Sequence, residues 1–395
     1  MRAVGIIAEY NPFHNGHAYQ LAEARRRADA DVAVAVMPGS FTQRGDAAIL
    51  SVRDRVNMAL SAGADAVFLL PALWAVRDAE HFALGGVSLL TRLGCDAISF
   101  GVETNDLALL QAVAALLEEE PEPLREAIRD LLAKGLPHPA ARAGAVERLI
   151  PGASELLRLP NNTLAVCYLR AMCRIASKME PVPILRTGAY HEPVLDPASP
   201  SATAIRLTLA AGDADAAMTA LPERCRPILL DAIREGRIHR PDALDGALFY
   251  RLLTMRDKEW DALPGNTEGI ANRLRDAFRH TASRMAILAD AKTKRYPEAR
   301  LSRMLTHALL QISQADLDAQ PTPPGALLLG LSDKGIPLLK RAQENGLPVY
   351  GKAADWIHLP DPWVRAELLA DQLWWAGCRQ PPANAMLQRR ISESR

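Results

Sequence analysis

A chain of 395 residues has room for two domains or three. Its 46 lysines and arginines are balanced by 46 aspartates and glutamates, so no overall field recruits nucleic acid, and any RNA surface must be a local patch. The five cysteines have no paired spacing, no apolar run reaches membrane-spanning length and the first residues carry no signal-peptide pattern, which excludes a disulfide framework and a membrane span and predicts a cytoplasmic protein.

The first hundred residues alternate short apolar runs with helical patterns. The runs are Val4–Ala8, Val32–Met37, Ala66–Leu70 and Ala97–Phe100, and the patterns lie near Gly16–Ala28, Val52–Ala62 and Ala79–Arg92. This alternation predicts βαβ crossovers and a parallel sheet, so the fold class is α/β. Ligands of such sheets bind beyond the carboxyl ends of the strands. After the first run comes Glu9-Tyr10-Asn11-Pro12-Phe13-His14-Asn15-Gly16-His17. The unpaired N–H groups of a helix start attract phosphate, and Gly16 has no Cβ to block a ligand. His14 and His17 are placed to donate to that phosphate, with positive charge suited to attack on a nucleotide α-phosphate. A zinc site would need further ligands at zinc-like spacing, and none is present.

After the second run, Gln43 and Arg44 stand in a loop with Gly39 and Gly45, where they could reach a carboxylate, a phosphate or a base. The third run is followed by Pro71–Ala75, then Glu80 and His81, and the fourth by Gly101-Val102-Glu103. Residues 106–150 read as two or three helices, with Glu118-Glu119-Glu120 on a solvated face. Pro160-Asn161-Asn162 reads as a helix entry in which either asparagine is an N-cap or a ligand contact. A fifth strand, Val182–Leu185, leads into Arg186. Ser201-Ala202-Thr203-Ala204-Ile205-Arg206 opens a helix with arginine one turn in, which is an ordinary capped helix or a second anion site.

From about residue 215 helical patterns dominate: Cys225–Glu235, Asp242–Arg256, Thr267–His280, Thr281–Asp290 and Glu298–Gln311. In the last, Leu301, Met304, Leu305, Ala308 and Leu309 form an apolar stripe, with Arg300, Arg303 and His307 opposite. Together with Lys292, Lys294 and Arg295 these arginines predict a local basic surface for RNA, the alternative being a solvated helix face. Beyond Pro321 a short α/β element follows: Ala326–Leu331, a helix over Gly335–Gln343, Val349–Tyr350 and a last helix near Pro362–Trp375. The tail after Gln380 is polar and expected to fray.

These residues, taken together, resemble a family. The run from Ala3 to His17, then Phe41-Thr42-Gln43-Arg44-Gly45, Pro160-Asn161-Asn162, Ser201–Arg206 and Thr293-Lys294-Arg295-Tyr296 with Arg300-Leu301-Ser302-Arg303-Met304, is similar to bacterial tRNA(Met) cytidine acetate ligases. These belong to the nucleotidyltransferase superfamily with a His-x-Gly-His loop. The resemblance implies a Rossmann-like nucleotidyltransferase domain over residues 1–215 that binds ATP and acetate. It also implies a mainly helical tRNA-binding domain over 216–395 that includes the small C-terminal α/β element. It implies ATP contacts along Ile7-Ala8-Glu9-Tyr10-Asn11-Pro12-Phe13-His14-Asn15-Gly16-His17-Ala18-Tyr19-Gln20, and at Gly101, Asn161 or Asn162, and Arg186. Ser201, Thr203 and Arg206 are expected on the β- and γ-phosphates, and Gln43 and Arg44 near acetate. His14 and His17 are the expected catalytic pair. Mg²⁺ is expected to arrive with ATP, held by phosphate oxygens and water and not by a protein metal site. The implied reaction forms acetyl-adenylate, then acetylates N4 of the wobble cytidine of elongator tRNA(Met). Two other readings of the residues stay open: a small-molecule adenylyltransferase acting on a pantetheine phosphate or nicotinate mononucleotide, and a non-catalytic RNA-binding protein.

Overall fold

The computed structural model describes residues 1–136, 138–186, 195–197, 200–281, 283–378 and 392–393. The apolar runs of the first hundred residues are strands β1 (Ala3–Ile7), β2 (Val32–Pro38), β3 (Ala66–Leu70) and β4 (Ala97–Val102). Nearly all their residues are buried, as expected of parallel strands covered on both faces. They are joined by α1 (Asn15–Arg27), α2 (Val52–Ser61), the single turn α3 (Ala72–Ala75) and α4 (Ala79–Leu93). Helices α5 (Leu107–Glu119), α6 (Glu122–Ala133), α7 (His138–Leu149), α8 (Ala153–Leu156) and α9 (Pro160–Arg174) then lead to β5 (Glu180–Leu185).

The helical region holds α10 (Ala202–Ala210), α11 (Ala214–Thr219), α12 (Arg226–Arg234), α13 (Asp245–Thr254), α14 (Asp257–Asp261), α15 (Ile270–His280), α16 (Arg284–Ala291), α17 (Glu298–Leu310) and α18 (Gln314–Ala319). The chain ends with β6 (Ala326–Leu331), α19 (Ile336–Glu344), β7 (Val349–Tyr350), α20 (Pro362–Ala376) and β8 (Ser392–Glu393). No helix among the described residues is long and apolar enough to cross a membrane.

The strands form a single sheet in the order β5-β4-β1-β2-β3-β6-β7, with β8 paired to β6. From β5 to β3 all pairs are parallel. The chain runs outward through β1, β2 and β3, then returns to place β4 on the other side of β1. This reversal opens a crevice at the carboxyl ends of β1 and β4, the place where such sheets bind ligands. The C-terminal strands depart from the expected division of the chain. β6 pairs antiparallel with β3, Leu69 facing Leu327 and Ala66 facing Leu331. The sheet of the first domain is therefore not contained in residues 1–215: the small α/β element is its far edge. Period and length identify a strand in sequence, but its partner lies 250 residues away and leaves no local trace.

Helix α17 also departs from expectation. Its apolar stripe is buried, but so is the opposite side, because every residue from Met304 to Leu310 is buried. His307 sits inside the protein, where Nε2 bonds the Val76 carbonyl at 2.7 Å. The polar residues Ser302, Thr306 and His307 face another part of the protein and not water.

Candidate active site

The β1 loop is held largely by its own residues. His14 has extended backbone and is the N-cap of α1, its Nδ1 accepting from the Gly16 N–H at 3.1 Å. His17 completes the box, Nδ1 accepting from the His14 N–H at 3.3 Å. Both Nδ1 atoms are acceptors, so the network assigns the ring protons to Nε2 in each imidazole. The rings stack with centroids 3.7 Å apart. Tyr10 meets His17 edge-on and Phe13 lies against both, and each is buried.

Burial, with the Arg186 and Arg206 guanidiniums nearby, lowers the His14 pKa to about 3. His17 is pushed well below its ordinary value by burial, then by His14 and Arg186. Both rings are therefore neutral donors, and the positive charge expected of them is supplied by the arginines instead. The backbone cradle is corrected as well. The Asn15 N–H bonds the Ala220 carbonyl, the Gly16 N–H bonds His14, and the His17 and Ala18 N–H groups bond the His14 carbonyl. Gly16 serves the His14 ring: a Cβ there would lie 3.0 Å from its Cε1.

The remaining residues of the stretch divide by placement. Ile7, Tyr10, Pro12 and Phe13 are buried, whereas Tyr19 is 47% exposed. Ala8 donates to the Val36 carbonyl of β2, and Ala18 and Gln20 are half-buried on α1. Asn11 is buried and accepts from the Ile49 N–H at 2.7 Å, and Asn15 donates to the Pro197 and Thr219 carbonyls.

Two arms close on the histidines. Arg206, on α10, donates to the Asn11 carbonyl at 2.8 Å and to Thr203 Oγ1 at 3.2 Å. Ser201 is the N-cap of that helix, accepting from the Ala204 N–H. Arg186 follows β5 and passes over Gly101, where a Cβ would lie 3.5 Å from its Cγ. The asparagines are not N-caps. Glu103 takes that role for α9, accepting from the Asn161 and Asn162 N–H groups. Asn162 is fully buried, its Oδ1 accepting from the Glu103 N–H and its Nδ2 donating to Thr104. Asn161 is half-buried, and its Nδ2 donates to Glu103 at 2.5 Å.

The second loop is held from elsewhere. It is a tight turn in which Phe41 bridges Ala47 and the Thr42 N–H meets the Asp46 carbonyl. The Gln43 N–H donates to Glu9 Oε1 at 2.7 Å, and the Gln43 side-chain amide donates to the Arg77 carbonyl, tying the second loop to the third. Burial raises the Glu9 pKa, opposed by the Gln43 N–H and by Arg206, Arg44 and Arg55. From α17, Ser302 bonds the Arg44 carbonyl at 2.7 Å and Thr306 bonds the Gly45 carbonyl at 2.5 Å. Half-buried Arg284 reaches Gly45, Ser302 and Thr306 from α16. Gly45 has φ +91°, and a Cβ there would lie 3.0 Å from the Arg303 backbone. From α20, Glu367 accepts from the Ala72 N–H and Asp371 from Ser40.

Sequence reading missed Arg55, Arg284, Glu367 and Asp371, and it named Glu103 without its capping role. Arg55 is fully buried and donates to the carbonyls of Glu9, Pro38 and Gly39, tying the ends of β1 and β2. One signal was available: Arg55 falls on the apolar stripe of α2 with Val52, Val56 and Ala59. The basic surface is only partly as expected. Lys292, Lys294 and Arg295 are exposed, with Lys292 paired to Glu298 and Arg295 to Glu268. Arg300 bonds Gly265 and Thr267, and Arg303 is half-buried, its backbone packed on Gly45 of the second loop.

A family model described as HIGH Nucleotidyl Transferase matches residues 1–388. The tRNA(Met) cytidine acetate ligase of Clostridium kluyveri is 36% identical over 89% of this chain and 90% of its own length. That of Bacillus subtilis is 34% identical over 91% of this chain and 89% of its own. The chain belongs to the tRNA(Met) cytidine acetate ligase family. The crystal structure of Thermotoga maritima TmcAL bound with alpha-thio ATP is similar throughout, with a TM-score of 0.87 and 28% identity over 98% of this chain and 96% of that one. Its apo form gives a TM-score of 0.89 with the same identity and coverage. Family membership thus comes with an ATP analogue bound to a protein of this fold.

Proposed function

We propose that the crevice makes acetyl-adenylate from acetate and ATP and passes the acetyl group to N4 of the wobble cytidine of elongator tRNA(Met), in the cytoplasm. The observation that carries the adenylation step is the stacked, neutral His14–His17 pair with Nε2–H donors, flanked by Arg186 and Arg206. In the first step an acetate oxygen attacks the α-phosphorus, the bond to the β-phosphate oxygen breaks, and pyrophosphate leaves. His14 and His17 donate to α-phosphate oxygens as charge builds there. Arg206 and Arg186 hold the triphosphate, with Ser201 and Thr203 fixing the helix that carries Arg206. In the second step the N4 amine attacks the acetyl carbonyl, the bond to the phosphate oxygen breaks, AMP leaves, and the amine proton passes to AMP or water. No enzyme nucleophile is required, so catalysis is positioning and charge stabilisation.

Asn161 is the asparagine that meets the nucleotide, because the polar atoms of Asn162 are already engaged in the buried core. Among the described residues no group of three or more His, Cys, Asp or Glu could hold a metal ion. Mg²⁺ is expected to enter with ATP, held by phosphate oxygens and water. Residues 1–215 with the C-terminal strands form the catalytic unit, and the helical region with Lys292, Lys294, Arg295 and Arg300 forms the tRNA-binding one. The test is ATP–pyrophosphate exchange without RNA. Exchange that requires acetate is expected; exchange indifferent to acetate, or its absence with and without tRNA, overturns the reading.

A further inference from the structure

Three arginines, Arg44, Arg77 and Arg303, stand where the second and third loops pack on α17. Arg303 and His307 are one turn apart on α17, and His307 bonds the Val76 carbonyl, drawing the third loop and Arg77 against this face of the helix. Gly45 packs on the Arg303 backbone from the second loop. Arg44, next to it, acts electrostatically on Arg303 on one side and on Glu9 on the other. Arg77 and Arg303 are both half-buried, and no hydrogen bond to either guanidinium is formed by the described residues. Burial lowers the pKa of each, and Arg303 is lowered further by Arg300 and Arg44. The acids facing them are Asp78 and Asp318. Asp78 already accepts from His81 Nδ1 at 2.8 Å and from the Glu80 and His81 N–H groups.

Desolvating an arginine without giving it a partner is costly, and an anion that bonds the fork recovers that cost. The anion is not ATP phosphate, which belongs to the histidine side with Arg186 and Arg206. Glu9 feels both Arg206 and Arg44, so its carboxylate is the charge the two groups share. The second substrate brings its own anions, because every cytidine within an RNA carries a phosphate on each side. We propose that Arg303 and Arg77, with Arg44, seat a backbone phosphate adjacent to the acceptor cytidine, and so fix the nucleotide whose amine attacks. This rests on the tRNA cytidine acetate ligase reading. It moves Arg303 from the outer basic surface to the reacting nucleotide and adds Arg77, whose role no sequence pattern suggested.

The test uses full-length tRNA(Met) assembled around a single neutral methylphosphonate, placed 5′ or 3′ of the target cytidine. At one of the two positions, acetylation by the wild-type enzyme falls on the order of 10–100-fold, the range for losing a charged hydrogen bond. Arg303→Gln and Arg77→Gln each show a loss of that size on unmodified tRNA, and combining either with that methylphosphonate adds little. The loss falls on kcat/KM for tRNA, while exchange without RNA keeps its KM for ATP and acetate, which also shows that the variants are folded. Normal wild-type rates with both methylphosphonates overturn the proposal, as do fully additive losses. A raised KM for acetate in exchange overturns it too, assigning the cluster to the carboxylate. Absence of acetate-dependent exchange in the wild type is a failure of the ligase reading itself, and is read before any tRNA is added.

Discussion

The first and second βα loops line the same crevice and are built in opposite ways. In the β1 loop the histidine pair is fixed by neighbours in sequence, His14 and His17 capping one helix with each other while Tyr10 and Phe13 wedge behind them, although Asn11 and Asn15 on either side are tied to distant residues. The β2 loop is fixed by residues far along the chain, Arg284, Ser302, Thr306, Glu367 and Asp371 among them. A local device sets the orientation of a donor with little dependence on the rest of the molecule. A remote one makes the loop's shape conditional on the packing of the helical region.

Breaking the local device should cost most in catalysis. In His17→Ala, exchange is expected to fall by about 10²–10³, the range for removing one donor to developing charge. Stability should drop only as for the loss of a cap, about 1 kcal/mol. A large loss of stability with little loss of exchange would reverse the contrast. Breaking the remote device should act on the fold first. Arg284→Ala removes the charged donor that the Gly45 and Ser302 carbonyls share, leaving them only Thr306, and is expected to cost about 1.5–3 kcal/mol in denaturant unfolding. Exchange near saturating ATP should fall by less than in His17→Ala.

The smallest effect concerns pH. Burial holds His14 and His307 near about 3 and His239 near about 4, with His17 also lowered. Between those values and the ordinary 6.5, the unfolded chain binds protons that the folded chain does not. Stability is therefore full above about pH 6.5 and declines as pH falls, each imidazole contributing about 1.4 kcal/mol per pH unit well inside the window. His307→Gln should flatten the slope of unfolding free energy between pH 6 and 4 by about one proton. An unchanged slope would mean that His307 already titrates in the folded state.

The same division explains what sequence could reveal. Strands β1–β4 and their helices were legible because period and length are local, and β6 and β7 were placed to the residue. The His14–His17 loop was legible because glycine and two histidines at fixed spacing demand a reason. Its electrostatics were not, since the neutrality of both rings depends on burial and on Arg186 and Arg206. Arg284 and Glu367 look like ordinary surface residues until the helical region folds over the second loop. The reading of α17 erred for the same reason: periodicity gives the angle between residues on a helix, not whether water or protein faces each side. Residues 187–194 and, apart from Ser392 and Glu393, the tail past Gln380 lie outside the described residues.

The antiparallel pairing of β6 with β3 also has a consequence in time. A ribosome delivers β3 long before β6, and at ordinary elongation speeds the interval is roughly 10–50 s. Through that interval the free edge of β3 is open to any other strand, a hazard that folded proteins conceal. Over the same interval the turn that carries Gln43 and Arg44 has none of its supports from α16, α17 or α20. The second loop therefore takes its final shape only when translation is nearly done.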